Sequence, residues 1–145
     1  MKRFLILNGP NLNLIGTREP DIYGNLSLAQ IQEHTQKKLE AHTANSELTW
    51  FQSNIEGELI NKIQEFTRED YAALVINPGG FSHTSVAIYD ALRMVKRPVI
   101  EVHLTNIYAR EEFRQSLLTA KAASKIMCGL GKDAYFIAVL SEILS

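Results

Sequence analysis

The chain has 145 residues, 46% of them apolar and 21% charged, with a net charge of −1. That is the make-up of a soluble globule long enough to bury a core, and 15 Lys and Arg against 16 Asp and Glu leave no basic field to hold nucleic acid. The single cysteine, Cys128, excludes an intrachain disulfide and any paired-thiolate zinc or redox site, and is expected to pack as a small hydrophobe.

In chain order, Phe4–Leu7 is a strand-length apolar run. It is too short for the core of a secretory leader, and no apolar run approaches the ~18 residues of a membrane helix, so a cytoplasmic protein is expected. The segment that follows, Asn8 to Gly24, reads NGPNLNLIGTREPDIYG and is too rich in Gly, Pro and Asn for a regular helix or a core strand. Long irregular connections in small domains are commonly functional lids, and this one carries Asn11, Arg18 and Tyr23. Ser27-Leu28-Ala29-Gln30 is a capping-box pattern with Leu26 and Ile31 placed as a hydrophobic staple, and predicts a helix to about His42. Leu48–Phe51 reads as the second strand. Ser53-Asn54-Ile55-Glu56 is a second capping-box pattern, before a helix marked by Ile55, Leu59, Ile63 and Phe66.

Ala73–Ile76 is the third strand, ending at Asn77 and running into Pro78-Gly79-Gly80-Phe81-Ser82-His83. A helix is expected from Ser82 or His83 to before Pro98, a fourth strand at Val99–Val102, a helix from near Ala109, a fifth strand at Ile126–Cys128 and a last helix from Lys132 onward. Near-continuous rather than alternating hydrophobicity in the strands fits a parallel sheet covered on both faces. The alternation predicts one α/β domain over residues 1–145, a flavodoxin-like three-layer sandwich with a five-stranded parallel sheet of order 2-1-3-4-5.

Ligands of such sheets bind beyond the carboxyl ends of the strands. There the first strand opens the Asn8–Gly24 segment, the third ends at Asn77, and the fourth runs through Glu101-Val102-His103 into Leu104-Thr105. Alternation puts Glu101 and His103 on one face, where a carboxylate beside an imidazole fixes its tautomer and suits a general acid or base; a satisfied strand-end histidine is the plainer reading. Tyr23 is a base only if its phenol ionises, which costs about 4 kcal/mol at pH 7 and is favoured by a guanidinium such as that of Arg18; otherwise its ring packs under the loop and Arg18 is solvated. His83, at a predicted helix start, is either a ligand contact or a surface cap. His34 and His42 read as solvated, and Gly129-Leu130-Gly131-Lys132 as a strand-to-helix turn. No metal-ligand or Ser-His-Asp spacing stands out, so the residues point to proton transfer without metal or covalent nucleophile.

Three ordered blocks, GPNLNLIGTREPDIYG, NPGGFSHTSVAIYDAL and EVHLTNIYAREEFR, resemble the type II 3-dehydroquinate dehydratases of the shikimate and quinate pathways, over essentially the whole chain. The resemblance implies a cofactor-free lyase converting 3-dehydroquinate to 3-dehydroshikimate through an enolate, assembled as a dodecamer of trimers. It makes Tyr23 the base at C2, Arg18 the lid arginine that lowers its pKa, and Asn11 the holder of a water on the enolate oxygen. His103 becomes the general acid, oriented by Glu101. Asn77, Leu104 and Thr105 would bind the reacting hydroxyl and the carboxylate, and His83 and Arg114 the ring hydroxyls. Arg110 would support the site, and Asp90 would reach a neighbouring subunit's site. The chain departs from the family pattern at Gln115-Ser116-Leu117 and at Ala122–Lys125, which touches subunit packing rather than chemistry. The competing readings are a module that holds flavin or a phosphorylated ligand, and an assembly protein whose irregular segment contacts neighbours.

Overall fold

The computed structural model describes residues 1–17, 21, 24–43 and 45–145. Five strands, β1 (Lys2–Asn8), β2 (Ser46–Gln52), β3 (Ala73–Asn77), β4 (Val99–His103) and β5 (Lys125–Cys128), form one sheet. The sheet is parallel throughout, in the expected order β2-β1-β3-β4-β5. Among the described residues the α-helices are α1 (Leu28–His42), α2 (Glu56–Arg68), α3 (Phe81–Thr84), α4 (Val86–Arg93) and α5 (Ala134–Ile143). Among the described residues no helix is long and apolar enough to cross a membrane.

The central strands are buried on both faces, and strand alternation sorts their side chains into two cores. Phe4, Ile6, Ala73, Val75, Ile100 and Val102 pack with Ile31 and Leu39 of α1 and Ala138 and Val139 of α5. Leu5, Leu7, Leu74, Ile76 and Val99 pack with Leu59, Ile63 and Phe66 of α2 and Ile88 and Leu92 of α4. The edge strands differ. β2 is nowhere fully buried, and Cys128 at the end of β5 is half-buried rather than part of the core.

The first capping box forms as the sequence predicts. The Ser27 hydroxyl accepts from the Gln30 N–H at 3.2 Å, and the Gln30 side chain accepts from the Ser27 N–H at 2.9 Å. The second does not form. Ser53 instead accepts from the Ile55 N–H and donates to Glu58, both at 2.9 Å. Glu56 turns away to accept from Ser85 at 2.6 Å, so a tertiary partner takes the carboxylate the box would have used. That exchange also breaks the helix expected after Asn77. Ser85 sits at φ −94°, ψ 96° between α3 and α4 and caps the Ile88 N–H at 2.9 Å.

No α-helix starts near Ala109. The β4–β5 connection holds three 3-10 turns instead, Ile107–Ala109, Glu112–Gln115 and Thr119–Ala122. Its backbone is drawn off by tertiary bonds: the Leu118 N–H donates to the Ser82 carbonyl at 2.7 Å, and the Ser116 carbonyl lies 2.9 Å from His83 Nδ1. His34 and His42 also find partners: His34 Nε2 lies 2.6 Å from Asp133 Oδ1, and the His42 ring packs on Phe136.

The apolar stripe of α2 is uneven in depth. Ile63 is fully buried, whereas Ile55, just before the helix, is 60% exposed. Ile63→Ala is expected to cost about 2–5 kcal/mol, with Ile55→Ala within about 0.5 kcal/mol of the parent, as read from urea unfolding midpoints at constant slope.

Candidate active site

The carboxyl ends of β1, β3 and β4 open into a cavity of about 140 Å³. Two glycines let the loops at its floor meet. A Cβ on Gly9 would lie 2.2 Å from the Pro78 carbonyl oxygen, and one on Gly79, at φ 59°, would lie 3.1 Å from the Pro10 carbonyl oxygen. Gly9 has no room for a side chain, and one at Gly79 would be crowded as well as strained by the positive φ, so backbone packs directly on backbone. Asn11, beyond that crossing, holds the left-handed φ of 69°, which asparagine tolerates, and its N–H donates to Asn54 Oδ1 at 2.9 Å.

β4 supplies the acid–base pair. Glu101 and His103 are 0% and 6% exposed and share a face, with His103 Nε2 and Glu101 Oε2 2.8 Å apart. The carboxylate fixes the proton of the neutral ring on Nε2. That leaves Nδ1 as the ring nitrogen not held by Glu101. The other carboxylate oxygen, Oε1, accepts from the buried Thr119 hydroxyl. The rings of His83 and His103 stack at 6.4 Å between centroids.

The opposite face of the strand ends carries a second buried network. Tyr135 of α5 donates to Asn8 Oδ1 at 2.5 Å and accepts from Asn77 Nδ2 at 3.1 Å. Asn77 Oδ1 in turn accepts from the Gly79 N–H at 3.2 Å, so both ends of the amide are fixed where it lines the cavity. Burial pushes the Tyr135 phenol well above its ordinary range, against the smaller opposing effect of the Asn77 bond.

The rim is cationic. Arg110 and Arg114 line the cavity, and Arg114 Nε donates to Glu111 Oε2 at 2.7 Å. A hydrogen bond from its own backbone, and then that from Arg114, hold the Glu111 carboxyl below the usual carboxylate range.

Of the residues singled out from sequence, Asn11, Asn77, His83, His103, Leu104, Thr105 and Arg114 line this one cavity, and Glu101 stands directly behind His103. Asp90 does not line it; it is exposed on α4. Arg18 and Tyr23 lie outside the described residues. Thr119 and Tyr135 escaped the sequence reading. Tyr135 sits in a helix whose apolar pattern conceals it, and Thr119 in a stretch read as helical.

A doubly wound parallel sheet with a buried carboxylate–imidazole pair and a polar, arginine-rimmed cavity at its strand ends defines an α/β enzyme built for acid–base chemistry on a small polar ligand. Residues 2–143 match the family Dehydroquinase class II, and the chain belongs to that family. It is 47% identical over 141 residues to the 3-dehydroquinate dehydratase of Helicobacter acinonychis (strain Sheeba), covering 97% of this chain and 84% of that one. It is 48% identical over 141 residues to the 3-dehydroquinate dehydratase of Clostridium botulinum (strain Hall), covering 96% and 92%. The crystal structure of the type II dehydroquinase from Butyrivibrio crossotus DSM 2876 superposes with a TM-score of 0.93 at 38% identity, covering 98% of this chain and 97% of that one.

The Asn8–Tyr135–Asn77 network yields a stability prediction. Tyr135→Phe leaves two buried amides short of a partner and is expected to cost about 1–3 kcal/mol at pH 7. Because the folded state raises the phenol, the stability Tyr135 contributes is complete below its ordinary value of about 10 and is lost as the pH rises above that. Chemical unfolding from pH 8 to 11 should therefore show an alkaline decline in the parent that is shallower in Tyr135→Phe.

Proposed function

We propose that this protein is a type II 3-dehydroquinate dehydratase that eliminates water from 3-dehydroquinate through an enolate, with Tyr23 as base and His103 as general acid. The observation that carries the reading is the buried Glu101–His103 pair opening onto a cavity that also gathers Asn11, Asn77, His83 and Arg114, in a chain that matches the family over residues 2–143.

The Tyr23 phenolate, favoured by Arg18, takes the proton from C2. The C–H electron pair passes into the C3 carbonyl as an enolate, which Asn11 stabilises through a held water. The enolate then collapses to a C1–C2 double bond and expels the C1 hydroxyl, which takes the His103 Nδ1 proton and leaves as water. Glu101 balances the imidazolium charge at 2.8 Å before that transfer and keeps the neutral ring in the correct tautomer afterwards. Asn77, Leu104 and Thr105 hold the substrate carboxylate and reacting hydroxyl, and His83 and Arg114 the remaining ring hydroxyls. Arginine at the rim suits an anionic substrate. Asp90, exposed on α4, reaches the site of a neighbouring subunit in a dodecamer of trimers. The reaction needs no cofactor and serves the shikimate or quinate pathway.

Purified protein mixed with 3-dehydroquinate should raise the ultraviolet absorbance of the conjugated enone product. Tyr23→Phe and His103→Ala, both folded, should each lose about 100-fold or more in kcat. Arg18→Gln should lower kcat much more than it raises KM. An unimpaired Tyr23→Phe would require another base, and no absorbance change with the parent would sink the dehydratase reading.

A further inference from the structure

The carboxylate behind His103 has its own support. Glu101 is fully buried, and as an ionised acceptor it must have donors on both oxygens to offset the loss of water. Oε2 meets His103 and Oε1 meets the Thr119 hydroxyl. Thr119 is itself fully buried, at the head of the turn Thr119–Ala122. The segment that delivers it is pinned twice on α3: the Leu118 N–H donates to the Ser82 carbonyl at 2.7 Å, and the Ser116 carbonyl lies 2.9 Å from His83 Nδ1. One short strap therefore sets both imidazoles of the cavity, His83 directly and His103 through Glu101.

We propose that Thr119 is a positioning residue for proton delivery by His103: its hydroxyl locks the Glu101 carboxylate in the rotation that holds the His103 ring with Nε2 toward Glu101 and Nδ1 toward the ligand. This rests on the reading of His103 as general acid. A valine at 119 keeps the shape and removes the donor. The carboxylate can then turn, and Nε2 loses the acceptor that holds its proton in place. The neutral ring then populates both tautomers, and the charged ring loses the carboxylate aimed at it when the hydroxyl departs. A hydrogen bond to a charged group, lost where the transition state relies on it, corresponds to about a 10- to 100-fold fall in rate.

Thr119→Val, Thr119→Ala and Thr119→Ser are compared by steady-state kinetics with 3-dehydroquinate and by nitrogen NMR of the histidine rings in the uncomplexed protein. In Thr119→Val, kcat should fall about 10- to 100-fold with KM within about twofold of the parent. At a pH where the ring is neutral, His103 should go from a single Nε2–H tautomer to a mixture. Thr119→Ser, which keeps the hydroxyl, should restore most of kcat and the single tautomer. Thr119→Ala, which demands less room, serves where near-ultraviolet circular dichroism shows that valine disturbs the fold. Parental kcat in a folded hydroxyl-free variant overturns the proposal, and so does an equal loss in valine and serine, which would mark Thr119 as mere packing. His103→Ala at parental kcat would instead overturn the general-acid reading, and the NMR signature separates that failure from this one.

Discussion

A carboxylate with no exposure to water in a strand of the sheet is the constraint around which this molecule is arranged. Moving such a charge out of water costs several kcal/mol, repaid only when each oxygen finds a donor of good geometry. Glu101 finds one on its own strand, two residues away, and one on Thr119, eighteen residues on in the chain. The second requirement explains the irregular β4–β5 connection. To bring Thr119 under β4, the connection must cross α3 with its backbone bonded to Ser82 and His83, and a regular helix would keep those groups for itself.

The opposite face meets a matching demand differently. Asn8 and Asn77 close β1 and β3 side by side in register, both on the α1–α5 face. Both amides are nearly inaccessible, and one phenol from α5 serves both. The direct approach of the two following loops, which Gly9 and Gly79 permit, brings these amides close to the cavity. The site is thus held from both helical layers, by Tyr135 on one side and Thr119 on the other, and the sheet between them fixes the spacing of β1, β3 and β4.

Features that depend on local periodicity were legible in the sequence. Apolar runs marked all five strands, the Ser27–Gln30 box placed the start of α1, and spacing of two along β4 put Glu101 and His103 on one face. The strand order followed from parallel alternation, and convergence of Asn11, Asn77, His83 and His103 followed from the order. What escaped depends on partners distant in sequence. Glu56 satisfies the pattern of a capping box yet bonds Ser85, 29 residues on. Ser85 breaks a helix that periodicity alone would continue. Thr119 and Tyr135 carry no local signal, because a hydroxyl in an amphipathic stretch looks the same whether it meets water or a buried carboxylate.

The two ends of the sheet bear this division of labour. At the amino end of β4, Arg97 closes the C-terminus of α2 and the chain beyond it. Its guanidinium donates to the carbonyls of Phe66, Glu69 and Tyr71 and lies 4.3 Å from the Phe66 ring centroid, a cation set against helix-end carbonyls and an aromatic face. These contacts tie α2 to the start of β4. The carboxyl end carries a buried charge, a left-handed asparagine, two loops too close for side chains, and Asn8, whose buried Nδ2 has no hydrogen-bond partner among the described residues. Each of these features is unfavourable alone, and they gather at the end where ligands of parallel sheets bind. Stability concentrated at one end of the strands tolerates strained, polar, pre-aimed groups at the other, and such groups are what proton transfer to a small polar ligand requires.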